Sequence, residues 1–100
     1  MKLVLSREAS ADLDGICDYI AHDLESPDTA KRIAQKITRH MIVLRNFPRA
    51  GRLLTDISEQ LAGYRLLAID KYLVLYRCDE DRVVVLRIIH ASLDYTRPFH

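Results

Sequence analysis

Three arginines interrupt otherwise apolar segments in the last third of the chain. Arg65, Arg77 and Arg87 each lie in a run whose composition is typical of a β-strand. Burying a guanidinium without a partner is costly, so each side chain must reach a sheet edge, a carboxylate or a bound ligand such as a phosphate group. A structural ion pair or a stack on a tyrosine ring meets the same requirement, and the sequence leaves these alternatives open.

A histidine and an aspartate follow at the end of the third run. His90 closes the run and Asp94 lies four residues further on, so the two could act as an oriented acid–base pair. The same pattern fits a strand end whose histidine is held by a local hydrogen bond. The chain has no glycine-rich phosphate loop, no nucleophile elbow and no metal-ligand spacing of cysteine or histidine. We therefore expect neither a cofactor nor a metal ion.

Positive charge is concentrated in the middle of the chain. Residues 26–55 carry seven basic side chains and one acidic one, although the net charge of the whole chain is +1. Three of the basic residues share one face of a predicted helix, and three others continue into the following loop. In chain order these six are Arg32, Lys36, Arg39, Arg45, Arg49 and Arg52. Such a segment is suited to binding phosphates or an acidic protein. The alternative is a solvated face that Asp14, Asp18 and their neighbours on the first helix neutralise in part.

The elements that must position these residues begin with a short strand and a helical hairpin. The strand is predicted at Lys2–Leu5, and apolar residues at helical spacing then continue from the N-cap Ser6 to Leu24. A serine–proline pair predicts that a second helix begins at Ser26, and this helix runs to about Asn46, just before another proline. Helices joined by so few residues lie antiparallel.

The last third is predicted to form three strands, after a loop over residues 47–59 and a short helical turn at Ile57–Leu61. The predicted strands are Tyr64–Ile69, Tyr72–Cys78 and Arg82–His90. Because only two or three residues separate them, they form an antiparallel meander, and the first strand of the chain is expected to join its edge.

The register of the meander decides which arginines share a face of the sheet. A tight two-residue turn between its first two strands places Arg65 opposite Tyr76. The same turn places Arg77 opposite Tyr64, on the other face. The face of Arg87 depends on the acidic turn before the last strand, whose register the sequence does not determine.

The predicted fold class is α+β, with the order β-α-α-β-β-β and an antiparallel sheet packed on an N-terminal helical hairpin. The length of 100 residues predicts a single domain that spans residues 1–100. The predicted strands are apolar on both faces, which is typical of strands that are covered on both. One hairpin covers one face, so we expect another molecule to cover the other.

Composition points to the cytoplasm. Hydrophobic residues make up 49% of the chain, which is ample for a packed core, and no apolar stretch approaches the roughly 20 residues that a membrane span needs. The first residues do not resemble a signal peptide. Cys17 and Cys78 both lie in apolar runs, and we expect them to be buried thiols in a reducing compartment.

Two groups of motifs cover nearly the whole chain. The first is Leu5-Ser6-Arg7-Glu8-Ala9 with Asp12-Leu13, Ile16 and Tyr19-Ile20, and the second is Tyr64-Arg65-Leu66-Leu67, Tyr72–Arg77, Val84–His90 and Asp94. In this order and spacing they resemble the RelE/ParE superfamily of bacterial toxins. The resemblance implies a compact toxin that a cognate antitoxin neutralises by wrapping around it. A disordered antitoxin arm that folds on binding would supply the missing cover of the sheet.

The resemblance also favours one branch of this superfamily. RelE-like members cleave mRNA in the ribosome with basic side chains on the sheet and a tyrosine or histidine near the C-terminus, whereas ParE-like members inhibit DNA gyrase. Arg65 fits one of those basic positions, but Leu67 and Leu73 stand where further basic residues are expected. Phe99 stands at the C-terminal aromatic position, although Tyr95 is close by. With so few cations, stabilisation of the cleavage transition state would be weak.

We therefore predict a ParE-like gyrase inhibitor that binds rather than cleaves. Its predicted target contacts are Arg49, Arg52, Arg65, His90 and Asp94. The alternative is a ribosome-dependent endoribonuclease, in which Arg65 and Arg87 hold the phosphate and His90 or Tyr95 serves as acid or base. A third possibility is a non-toxic module that binds protein or RNA. For a toxin, the predicted partner is a cognate antitoxin in a hetero-oligomer, and no membrane is involved.

Overall fold

A computed structural model describes residues 1–55 and 57–91 of the chain. The helices are α1 (Arg7–Asp18), which continues as a π-helical turn (Tyr19–Asp23), and α2 (Pro27–Val43). The strands are β1 (Lys2–Leu5), β2 (Arg52–Leu53), β3 (Tyr64–Ile69), β4 (Tyr72–Cys78) and β5 (Arg82–His90), and a 3₁₀ turn (Glu59–Leu61) precedes β3. Asp94, Tyr95 and Phe99, which the sequence analysis singled out, lie outside the described residues.

The strands form one sheet in the order β1-β5-β4-β3-β2, and the predicted α+β fold is confirmed. The meander β3-β4-β5 is antiparallel, and β1 joins its edge beside β5 as expected. The pairing of β1 with β5 is parallel, so the sheet is mixed rather than antiparallel throughout.

The strand β2 is an addition to the predicted elements. It lies inside the segment that the sequence predicts as a loop, and it pairs antiparallel with β3 through Arg52 opposite Leu66 and Leu53 opposite Arg65. It extends the sheet at the edge opposite β1, so the mixed character comes from the pairing of β1 with β5 alone.

The register of the meander agrees with the tight turn that the sequence predicts. Arg65 lies opposite Tyr76, and Arg77 lies opposite Tyr64. Asp70 in the turn has a φ of 52°, a left-handed conformation that aspartate tolerates better than most residues. A β-bulge between β4 and β5 then shifts the pairing, so that Arg87 lies opposite Leu75 rather than on the face of Arg65.

The core lies on one face of the sheet. Buried apolar residues from α1, α2 and the three meander strands contact one another there: Ala9, Ile37, Met41, Leu44, Ile69, Tyr72, Val74, Tyr76, Val83, Val85 and Ile88. On β4 the even-numbered side chains from Tyr72 to Tyr76 are buried, whereas Leu73 and Leu75 on the other face are only half-buried. Among the described residues, no helix covers that other face. The helical hairpin therefore covers one side of the sheet, as the sequence predicts.

Side chains at the start of α1 form hydrogen bonds with the part of β5 that has no neighbouring strand. β1 ends at Leu5, so the second half of β5 has no strand on its outer side. The Ser6 hydroxyl donates to the carbonyl oxygen of Leu86 at 2.9 Å and accepts from the amide of Ala9 at 3.0 Å, where it caps the helix. One turn later, the Asp12 carboxylate accepts a hydrogen bond from the amide of Ile88 at 2.9 Å. Side chains of α1 thus satisfy backbone groups at the open sheet edge.

A buried tyrosine fixes the segment that precedes β2. The hydroxyl of Tyr76 donates to the carbonyl oxygen of Pro48 at 2.8 Å and accepts from the amide of Gly51 at 2.7 Å. A Cβ atom on Gly51 would lie 2.6 Å from the ring and the hydroxyl of Tyr76, so only glycine allows this close approach. Burial raises the pKa of Tyr76, which keeps the hydroxyl protonated and able to donate. We call residues 47–53 the clasped loop.

The two cysteines are free thiols, but they are less buried than the sequence predicts. Cys17 is half-buried on α1, and Cys78 is exposed at the end of β4. Burial raises the pKa of both thiols, so neither is activated as a nucleophile. Over the described ranges, no helix is long and apolar enough to cross a membrane.

Replacing Tyr76 by phenylalanine tests the clasp. Tyr76→Phe removes both hydrogen bonds and leaves the buried amide of Gly51 unsatisfied, so the free energy of unfolding should fall by about 1–3 kcal/mol. Chemical denaturation followed by circular dichroism measures the change. Tyr64→Phe is the matched control, because the Tyr64 hydroxyl makes no hydrogen bond within the described part of the chain, and it should change stability little. Equal stability of the two variants would show that the clasp contributes nothing.

Candidate functional site

The clasped loop presents two arginines to solvent. Arg49 and Arg52 are both exposed, and no salt bridge among the described residues involves either of them. Their backbone is nevertheless fixed, because Tyr76 holds the carbonyl oxygen of Pro48 and the amide of Gly51. Two exposed guanidinium groups therefore project from a backbone that is already ordered.

Arg65, the third predicted contact in this region, supports the same loop. Its Nη1 donates to the carbonyl oxygen of Gly51 at 2.8 Å and to that of Arg49 at a longer 3.4 Å. The side chain is half-buried on the core face, opposite Tyr76. The structure thus brings Arg49, Arg52 and Arg65 together, with Arg65 beneath the loop and the other two on its surface.

Arg87 is engaged elsewhere. Its Nε and Nη2 donate to the two carboxylate oxygens of Asp12 at 2.7 and 3.0 Å. These hydrogen bonds raise the pKa of the Arg87 guanidinium above its ordinary value. This bidentate ion pair is the structural alternative that the sequence left open for the strand arginines.

His90 lies far from Arg65. Its ring packs edge-on against Tyr72, with the ring centroids 5.0 Å apart. His90 pairs with Tyr72 and Arg65 pairs with Tyr76, so the two residues lie at opposite ends of the same stretch of β4. At about 3.3 Å per residue, this separation along the strand is roughly 13 Å. The structure does not bring Arg65, Arg87 and His90 into one cluster, and the predicted partners Asp94 and Tyr95 lie outside the described residues.

The basic face of α2 is only partly neutralised. Nζ of Lys36 lies 2.7 Å from Oδ2 of Asp70 in the β3–β4 turn, so its partner is this turn rather than the first helix. Arg32 donates to the hydroxyl of Thr29 at 3.2 Å. Arg39 is exposed and belongs to no salt bridge in the described ranges.

The sheet face away from the helices is a second candidate surface, which we call the open face. Strand alternation and register place eight apolar residues on it: Val4, Tyr64, Leu66, Ala68, Leu73, Leu75, Val84 and Ile89. Basic residues border it, since Lys2, Arg52, Arg77 and Arg82 alternate onto the same face. Arg82 is paired with Asp79 at 3.0 Å. Of the eight apolar residues, Val4 and Ala68 are exposed, Val84 is buried and the other five are half-buried. A sheet face with apolar residues in reach of solvent is typical of an interaction site.

A groove between the helical hairpin and the strand ends is the third candidate surface. It has a volume of about 1000 Å³, and its apolar lining includes Ile16, Tyr19, Ile20, Leu24, Ile33, Tyr72 and Ile88. Its polar lining comes from Asp12, Thr29, Asp70, Lys71 and His90. Tyr19 and Leu24, at either end of the π-helical turn, are each 56% exposed. We call this feature the hairpin groove.

Sequence reasoning missed the clasp and the hairpin groove. Tyr76 resembles any other apolar strand position, and Gly51 resembles an ordinary loop glycine. The sequence held one signal for the groove. Tyr19 and Leu24 are large apolar residues near the end of a helix, where too few neighbouring residues are available to bury them. Within the described residues, no group of three or more histidine, cysteine or acidic side chains could hold a metal ion.

Comparisons with known proteins agree with this fold. The chain is similar to a chain of the chromosomal ParDE toxin–antitoxin system from P. aeruginosa, with 28% identity and a TM-score of 0.74 over 90% of this chain and 95% of that one. It is also similar to a chain of the RelBE2 toxin–antitoxin complex from Mycobacterium tuberculosis, with 25% identity and a TM-score of 0.67 over 89% and 95% of the two chains. A YoeB/ParE toxin from Agrobacterium tumefaciens shares the fold, at 22% identity and a TM-score of 0.63 over 90% and 98% of the two chains.

The family comparison covers almost the whole chain. A comparison with curated proteins finds no significant match. The model of the ParE toxin of the type II toxin–antitoxin system parDE, however, matches residues 3–95, a span that includes every described element from β2 to β5, both helices and most of β1. On this match, the chain belongs to the ParE toxin family of type II toxin–antitoxin systems.

Proposed function

We propose that this toxin acts by binding DNA gyrase, and that a cognate antitoxin neutralises it by covering its apolar surfaces. The observation that carries the target proposal is the clasped loop, with two exposed arginines on an ordered backbone. Guanidinium groups form bidentate hydrogen bonds with carboxylates and phosphates, both of which a gyrase–DNA complex offers. Little conformational entropy is lost on binding, because the loop is already fixed by Tyr76 and Arg65.

The roles of the contact residues follow from their positions. Arg49 and Arg52 touch the target, and Arg65 holds their loop in place through the carbonyl oxygen of Gly51. His90 borders the hairpin groove rather than the clasped loop. We assign it, together with Asp94, to a separate contact at the C-terminal end of the sheet.

The geometry favours binding over catalysis. Cleavage of RNA needs a base near the attacking hydroxyl and cations near the developing charge. Arg87 is paired with Asp12, and Arg65 is bonded to loop carbonyls roughly 13 Å along the strand from the position of His90. A docking toxin needs no such cluster, and it acts stoichiometrically in the cytoplasm, where gyrase works.

The antitoxin is assigned to the open face and the hairpin groove. Both surfaces are apolar, and no described element covers them. The basic rim of the open face suits an acidic, initially disordered arm, and the groove suits an amphipathic helix. A single antitoxin chain that binds both surfaces would form the expected hetero-oligomer with the toxin.

Expression of the toxin without antitoxin identifies the target. We expect gyrase-dependent DNA cleavage and a DNA-damage response to precede any loss of mRNA, because a docked toxin traps gyrase on broken DNA. Pulsed-field electrophoresis and RNA sequencing at matched early times measure the order of events. Codon-positioned mRNA cuts before any DNA damage would instead identify the endoribonuclease, and normal growth would identify the non-toxic binding module.

A double substitution separates binding from catalysis. His90→Ala combined with Tyr95→Phe removes the candidate acid–base groups and should reduce toxicity less than about tenfold, whereas a nuclease should lose roughly 10²–10⁴-fold in rate. Growth arrest at measured toxin levels provides the comparison. Arg49→Ala combined with Arg52→Ala is the matched pair, and it should reduce toxicity more than the first pair does.

A charge on the open face tests the assignment of the antitoxin. Leu73→Glu should leave growth arrest intact but weaken neutralisation by the cognate antitoxin about 100-fold or more, because the carboxylate would be buried unpaired in the complex. Titration of purified toxin with antitoxin measures the affinity. Ile57→Glu, at an exposed apolar position that is not one of the eight residues of that face, is the control. Unchanged affinity of Leu73→Glu would place the antitoxin elsewhere.

A further inference from the structure

The outer side of α2 carries exposed apolar residues where a surface helix is normally polar. Arg39, Ile42 and Val43 follow one another at i, i+3 and i+4, on the side of the helix away from the buried Ile37 and Met41. Ile42 is 45% exposed and Val43 is 47% exposed. Neither residue contributes to the core.

The clasped loop carries a further exposed apolar residue just after α2. Phe47, which follows α2, is 64% exposed. Its amide donates to the carbonyl oxygen of Val43 at 3.0 Å, and its own carbonyl oxygen accepts from the amide of Ala50 at 3.1 Å. Because Tyr76 binds the adjacent Pro48 carbonyl, the backbone that carries Phe47 is fixed on both sides. We call Arg39, Ile42, Val43, Phe47 and Arg49 the α2 ridge.

Charge selects the kind of partner that fits this ridge. Residues 26–55 have seven basic side chains against one acidic one, and neither Arg39 nor Arg49 belongs to a salt bridge in the described ranges. A second copy of the chain would bring like charges together. A DNA duplex would pair with the arginines but would offer little to the exposed phenylalanine, isoleucine and valine side chains. A protein surface with acidic groups around an apolar pocket can bind both the arginines and the apolar side chains of the ridge.

We propose that the α2 ridge docks on such an acidic surface of the toxin's target protein, with Phe47 as its apolar anchor. This inference deepens the gyrase proposal and rests on it for the identity of the target. The ridge shares no residue with the open face or the hairpin groove, so its five side chains lie outside the surfaces that we assign to the antitoxin. Phe47 thereby joins Arg49 and Arg52 as a determinant of target binding.

Two substitutions with matched controls test the ridge. Phe47→Ser removes the anchor, and Arg39→Glu reverses a charge without touching the core. Ile57→Ser and Arg7→Glu make the same chemical changes at exposed positions outside the ridge. Growth arrest at measured toxin levels and inhibition of purified gyrase supercoiling are the activity measurements, and thermal unfolding verifies that each variant folds. We expect each ridge variant to need at least about tenfold more toxin for half-maximal effect, while the controls stay within about twofold of the parent.

The outcomes separate this inference from the proposed target. Ridge variants that match the parent in both assays overturn the docking surface and leave the gyrase proposal intact. If the parent arrests growth without inhibiting gyrase, the target is wrong, but loss of growth arrest in the ridge variants still supports the surface. Ridge variants that keep their toxicity and escape the antitoxin would assign the ridge to the antitoxin and overturn the inference. The inference would also be overturned if Arg39→Glu weakened binding to naked duplex DNA while Phe47→Ser had no effect on toxicity or on gyrase inhibition.

Discussion

One-sided burial of the sheet is the constraint on which the rest of this structure depends. The hairpin supplies Ala9, Ile37 and Met41 to one face, and the described residues contain no second layer for the other. Apolar side chains such as Leu73 and Leu75 therefore remain near solvent in a protein of 100 residues. A chain with this architecture is suited to forming a complex, because a partner can bury the apolar sheet face that its own helices leave uncovered.

Tyr76 connects the core with the surface that we assign to the target. Its ring is fully buried among apolar residues, while its hydroxyl reaches the backbone on both sides of Arg49. The same packing that stabilises the sheet therefore also orders the loop. Such an arrangement is typical of binding sites in which a rigid scaffold positions exposed side chains before the partner binds.

Much of the fold is predictable because its signals are periodic. The apolar stripe of α2, the serine–proline start at Ser26 and the tight turn at Asp70 each predict local geometry that the structure contains. The pairing of β1 with β5 and the two-residue β2 depend on contacts between distant segments, which no local pattern encodes. The site is less predictable than the fold. The sequence predicts that Arg49 is exposed, but the hydrogen bonds by which Arg65 and Tyr76 fix its loop depend on which strands become neighbours.

The parallel pairing of β1 with β5 joins residues 2–5 to residues 82–85, which are 80 positions further along the chain. Contacts between residues so far apart in sequence form late and slow the folding reaction. During synthesis, the first strand has no partner until the last one leaves the ribosome, and Val83, Val85 and Ile88 are missing from the core until then. A nascent toxin therefore cannot complete its sheet before β5 has been synthesised.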